Sequence, residues 1–353
     1  MLALLLLFQN AFAEQTAAEG LFDLAKQRGF DAATFLQRLL SGEALSSVVS
    51  FEGILSSLRQ SILQSLSELL LNLSLPVAAC LLLRQVTGAG QMDFMLNLLC
   101  ALCCATALAG AWVDAQRQAA EQIDAMLNVT RTMTPIMASA AALTGGGLWS
   151  AALEPLANLC ASIIQQLLKE WGLGLCGAAA VIALSGAVSG RYGLNRLFEL
   201  FKAVIHWGLG AAVFVFGGLV SMQGLLGAAR EGAALKTAQI AIENLMPIIG
   251  GGLSGAAGSL MVSAGFARSA IGITGVALVG RMCLGVILRL GGSAIALKLI
   301  SAAMEPLAEG AAARLIGHFG DIYEMLLAIV LCCGVMTAMI PAGFALLTGA
   351  LGR

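Results

Sequence analysis

Asn244-Leu-Met-Pro-Ile-Ile-Gly-Gly-Gly-Leu-Ser-Gly-Ala-Ala-Gly-Ser259 is long and apolar enough to enter a bilayer, and no charge falls between Glu243 and Arg268. Yet it carries Pro247 and the triplet Gly250, Gly251, Gly252. Proline removes an amide donor and glycine disfavours continuous helix. Hydrocarbon offers no water to the freed backbone groups. Irregular backbone at that depth must therefore be packed inside protein or line a wet cavity. Such a segment is a candidate pathway element. A plainer reading is a bent span whose glycines only permit close helix packing.

The surroundings fix the class. Of 353 residues, 59% are hydrophobic and 11% charged, against about 25% charged in soluble chains. The sequence predicts an all-α, polytopic integral membrane bundle with two Pro/Gly-broken segments, crossing or re-entrant, and a weak internal duplication. A net charge of −1 with no basic cluster argues against a nucleic-acid partner. The nine cysteines all sit in apolar stretches. Cys100-Ala-Leu-Cys103 has no neighbouring His or carboxylate to complete a ligand set, so the thiols read as small packing residues. No metal or cofactor motif is present.

At the N-terminus, Met1–Phe8 followed by Ala11-Phe12-Ala13 reads as a signal-peptide h-region and cleavage site over 1–13, although a basic leader is missing. Residues 14–65 form an extracytoplasmic amphipathic region, with Leu21, Leu24, Phe35, Leu36 and Leu39 at helical spacing. A first membrane repeat is expected over 66–170 and a second, with an insertion, over 171–353. Expected spans include Leu66–Leu83, Phe94–Val113, Trp171–Gly190, Ala203–Ala229, Ser269–Leu288 and a last one within Ile322–Leu351. Asp114–Arg131 and Arg230–Glu243 read as amphipathic stretches at the interface.

The duplication rests on Thr134-Pro-Ile-Met137 with Gly145, Gly146 and Gly147, which echo Met246-Pro-Ile-Ile249 with its own triplet. Laying Pro135 on Pro247 also lays Phe94–Val113 on His206–Leu225. Glu154-Pro-Leu-Ala157 resembles Glu305-Pro-Leu-Ala308 at a longer spacing. Both inserts should nestle within the bundle. The positive-inside rule puts Arg84, Arg191–Lys202 and Arg289–Arg314 on one side, which makes Pro247–Phe266 re-entrant from the other. Arg281, inside an apolar span, should face a carboxylate, an open carbonyl or water, with Glu154 and Glu305 as natural partners. Either Glu-Pro pair can equally be the first turn of a helix.

Leu235-Lys-Thr-Ala-Gln-Ile-Ala-Ile-Glu-Asn-Leu-Met-Pro-Ile-Ile-Gly-Gly-Gly-Leu-Ser-Gly255 resembles the stage III sporulation protein AE family. Thr134-Pro-Ile-Met-Ala-Ser-Ala-Ala-Ala-Leu-Thr-Gly-Gly146, Phe216-Gly-Gly-Leu-Val-Ser-Met-Gln-Gly224 and Ala303-Met-Glu-Pro-Leu-Ala308 are similar to its pattern in the same order. The resemblance implies a multi-pass subunit of a sporulation channel complex in the mother-cell membrane facing the forespore. It implies partners too: a cytoplasmic secretion-type ATPase, small membrane proteins and ring-forming subunits. The pathway or gating candidates are then Pro135, Gly145, Gly146, Gly147, Glu154, Pro247, Gly250, Gly251, Gly252, Arg281 and Glu305. A non-conducting scaffold is the alternative. An intramembrane serine protease is the remote one: Gly252-Leu-Ser-Gly255 matches G-x-S-G, but a serine nucleophile needs a histidine base, and His206 and His318 lie on no obvious facing helix.

Overall fold

A computed structural model describes the backbone of residues 93–143, 148–189, 193–245, 250–304 and 311–346, with Gln60, Leu63 and Ser67 as isolated helical positions. Side chains are described over 101–134, 156–187, 195–221, 275–304 and 312–341, together with those three positions and Leu99. The signal-peptide reading, nearly all of the 14–65 region and the span at Leu66–Leu83 lie outside the described residues.

Every described residue is helical. Helix α1 is Asp93–Leu143. Helix α2, Leu148–Leu167, runs through one π-helical turn, Leu168–Gly172, into α3, Leu173–Ser189. Helices α4, Gly193–Leu245, and α5, Gly250–Met304, are followed by α6, Ala311–Leu346. Among the described residues, four stretches are long and apolar enough to cross a membrane: Leu156–Ala187, Asn195–Ser221, Gly275–Met304 and Ala312–Pro341. All-helical backbone is what hydrocarbon demands, because each amide finds its partner within its own segment.

Helix α6 is the axis. It is the most apolar of the four spans and 61% of it is buried, against 17% for the α4 span. It packs most extensively on α5, then on α1, α3 and α4. Its buried face, Leu315, Ile316, Phe319, Ile322, Leu326, Ile329, Val330 and Cys333, recurs every three to four residues, the period of one helical stripe. Glycines bring the backbones together where that stripe needs room. A Cβ on Gly275 would stand 2.8 Å from Pro341 Cβ, and one on Gly172, in the π turn, 3.0 Å from Ile329 Cδ1.

Three expectations are corrected. The chain does not turn back between Phe266 and Ser269. It forms one helix of 55 residues from Gly250 to Met304, with Gly250, Gly251 and Gly252 in its first turn. Intrachain hydrogen bonding outweighs the helix penalty of glycine there. The Asp114–Arg131 stretch is not set off from the span read before it: it is the middle of α1, a single helix of 51 residues that also runs through Pro135. Finally, Glu154-Pro155 does not begin a helix, since α2 starts at Leu148 and passes through both. Gly145, Gly146, Gly147, Pro247 and Glu305 lie outside the described residues.

Candidate functional site

Two sets of polar side chains stand out against the apolar packing. The first is an ionic junction where the start of α4, the end of α5 and the start of α6 meet. Asp321 accepts from Lys202 on α4 at 3.2 Å and from Lys298 on α5 at 3.3 Å. Lys298 also pairs with Glu324 one turn further along α6. His318 Nε2 lies 3.0 Å from Asn195 Oδ1, and its ring packs on Phe198 with centroids 4.4 Å apart. Lys202 and Lys298 were placed on one side of the membrane by the basic-loop argument, and the structure gathers both at one end of the bundle. They sit within helices rather than in connections, because carboxylates on a neighbouring helix neutralise them.

The second set is a seam of amides and hydroxyls inside the bundle. Gln165 is fully buried on α2. Its Nε2 donates to the Thr337 hydroxyl at 2.9 Å and to the Cys333 carbonyl at 3.3 Å, while its Oε1 accepts from Thr130 of α1 at 3.4 Å. Thr337 also donates to the Cys333 carbonyl, at 2.9 Å. Pro341 lies four residues beyond Thr337 and has no N–H to offer that residue's carbonyl. Gln165 therefore seats where the α6 backbone ladder is weakest. Gln122 of α1 donates to Met282 O on α5 at 3.1 Å, and Gln116 to Leu173 O at 3.3 Å. The Tyr323 hydroxyl donates to Ala111 O at 2.8 Å, with the Trp112 ring edge-on to it.

The outer surface is divided. On α4, Trp207 and Phe214 are 82% and 81% exposed, and Ala203–Ala229 carries no ionised side chain. That flank suits lipid. Across α6 from it, α1 shows Asp114, Arg117, Glu121, Asn128 and Arg131 outward. Arg117 bonds Glu121 at 3.0 Å, Asp124 bonds Lys169 at 2.6 Å, and Arg131 reaches Gln166 at 3.4 Å.

Of the sequence candidates, only Arg281 has a described side chain. It is exposed on α5 and makes no ion pair with an acid among the described side chains; its expected partners Glu154 and Glu305 lie outside them. Pro135, Glu154, Gly250, Gly251 and Gly252 are placed as helical backbone only. His206 Nδ1 lies 2.8 Å from Lys202 O on its own helix, so both histidine rings are engaged on α4. Among the described residues no group of three His, Cys, Asp or Glu could hold a metal. Sequence reading missed Gln165, Gln122 and Asp321. For Asp321 the available signal was a charge among apolar residues; Gln122 and Gln165 stand beside Glu121 and Gln166, which hid them.

Long apolar spans, an internal polar seam and one lipid-suited flank define a polytopic helical membrane protein. Its kind follows from sequence comparison. The family model for stage III sporulation protein AE matches residues 30–344, and the chain belongs to that family. It is similar to "Stage III sporulation protein AE" of Bacillus subtilis (strain 168), at 22% identity over 192 residues, covering 54% of this chain and 48% of that protein. The matched region is thus about half the length of that curated relative. No solved structure matches the chain.

Proposed function

We propose that this chain is a multi-spanning subunit of a sporulation channel or export complex, with a permease-like role, in the mother-cell membrane facing the forespore. The observation that carries the proposal is the division of its surface. An isolated membrane protein meets lipid on all sides, and exposed charge at depth is expensive. Here α4 offers lipid an apolar flank while α1 turns Arg117 and Glu121 outward, at 78% and 65% exposure. A chain built this way is completed by other subunits. Ring-forming and small membrane proteins, with a cytoplasmic ATPase as energy source, are the partners this reading takes from the family resemblance. The lipid bilayer covers the other flank, and no cofactor is required.

The alternative, a non-conducting scaffold, draws on the same unlike flanks but has no use for the two Pro/Gly segments. Replacing Pro247, Gly250, Gly251 and Gly252 together with Ala separates the two. Assembly is read by co-purification of partner subunits, and transport by late forespore gene expression and spore output. Intact assembly with lost output supports the permease-like role; intact assembly with normal output overturns it. Ser254→Ala is expected to retain full output, which would dispose of the protease reading.

A further inference from the structure

The outward stripe of α1 is a continuous helical line. Thr106, Gly110, Asp114, Arg117, Glu121, Asn128 and Arg131 are all exposed, and half-exposed Asp124 fills the gap between Glu121 and Asn128. The spacing of three to four residues keeps them on one face. From Thr106 to Arg131 the stripe is about 38 Å long at 1.5 Å per residue, longer than the roughly 30 Å of hydrocarbon in a bilayer.

Its depth is fixed at two points. Ala111 is tied to α6 through the Tyr323 hydroxyl, and Thr130 through Gln165 to Thr337. Between these ties, Asp114, Arg117, Glu121 and Asp124 run beside Tyr323–Thr337, a segment that holds the midpoint of the α6 span Ala312–Pro341. The opposite flank confirms the level. Lys202 of α4 meets α6 at Asp321. Thr337 is about 24 Å further along α6, and the same distance along α4 passes Trp207 and Phe214 and reaches Gly218. That path crosses the midpoint of the α4 span Asn195–Ser221 and stays within the uncharged Ala203–Ala229 stretch. On α5, Arg281 adds an exposed charge at the depth of Gln122, which bonds the carbonyl of the next residue, Met282.

Charges at mid-membrane cost about 2.5–3.5 kcal/mol each on insertion scales. A stripe of five ionised side chains would not be left against acyl chains. We propose that this face of α1 lines a water-filled path through the membrane, walled on its far side by other chains of the assembly. The stripe carries Asp114, Glu121 and Asp124 against Arg117 and Arg131, so it presents no field of a single sign. It suits polar cargo of either charge rather than a selected ion. The inference rests on the permease-like reading and assigns its path to one helix face.

The test is thiol accessibility in membranes of sporulating cells. Single Cys at Arg117, Glu121 and Asn128, and at Trp207 and Phe214 as depth markers, go into a full-length chain whose nine cysteines are replaced and whose spore output is retained. If that background fails, native Cys103, exposed one turn before Thr106 on the same helix, is probed in the unaltered chain with the label assigned by peptide mapping, labelling being expected and protection counting against the path. A membrane-impermeant maleimide should label the three stripe positions, while Trp207→Cys and Phe214→Cys react only with a lipid-soluble reagent. Labelling of Phe214→Cys by the impermeant reagent would put that whole level outside the bilayer and overturn the path. So would protection of the stripe in a strain with normal spore output, which would leave the permease-like role itself standing.

Discussion

Gln165 and Thr337, on helices α2 and α6, are joined by a 2.9 Å hydrogen bond between two side chains that are at most 1% exposed. The bond closes a seam that also holds Thr130 and the Cys333 carbonyl. Gln165→Leu keeps the volume but strands Thr130. Polar contacts between membrane helices average about 0.6 kcal/mol and reach about 1.7. A loss of about 1–2 kcal/mol is expected, read as a lower Tm of the purified chain in detergent. In a double-mutant cycle with Thr337→Val the two losses should be less than additive.

Asp321 holds two lysines from two helices, whereas Glu324 holds one. Asp321→Asn should therefore cost more than Glu324→Gln. The junction is partly exposed, so the cost falls between surface and buried pairs, about 1–3 kcal/mol against under about 1 for Glu324→Gln. Adding Lys202→Met to Asp321→Asn should recover part of the loss in thermal unfolding. Equal sensitivity of the two acids would contradict the shared-carboxylate arrangement.

Gly275 and Gly280 lie about one and a half turns apart on α5 and should respond oppositely to alanine. A Cβ at Gly275 runs into the rigid Pro341 ring at 2.8 Å, while one at Gly280 meets nothing within 4 Å. Gly275→Ala is expected to destabilise by about 1–3 kcal/mol through overpacking. Gly280→Ala should be neutral or stabilise by up to about 1 kcal/mol through helix propensity. Thermal unfolding of the two variants side by side decides it.

Tyr323→Phe removes the hydroxyl from Ala111 O but keeps the ring against Trp112. About 0.5–1.5 kcal/mol should be lost, the usual worth of one such bond. Trp112→Ala, which empties a position only 6% exposed, should cost about 3–5 kcal/mol.

The class of the protein was legible in its composition; the span expected at Trp171–Gly190 overlaps the π turn and α3, and Ala203–Ala229 falls within α4. Helix boundaries were less so, for one physical reason. Reading along the chain treats a charge as the end of a span, but Asp321 is a charge answered from α4 and α5. The last span was accordingly expected from Ile322, whereas α6 begins at Ala311. Asp114 was taken as the end of the span Phe94–Val113 for the same reason, whereas α1 runs on through it. Gln165 could not be matched to its partners at all, since Thr337 is 172 residues away in sequence. The Pro/Gly segments singled out by sequence fall on the edges of α1, α2 and α5, with Gly145, Gly146, Gly147 and Pro247 beyond the described residues.

The centrality of α6 bears on how the protein is made. Of the six described helices, the one the others surround leaves the ribosome after the other five. At roughly 5–20 residues per second, α1 waits tens of seconds in the bilayer before its main neighbour arrives. During that interval Gln165 and Lys202 have no Thr337 or Asp321 to meet. The nascent protein is therefore an open cage until α6 slots in, and insertase or chaperone contacts during synthesis should be densest on the faces that α6 later covers.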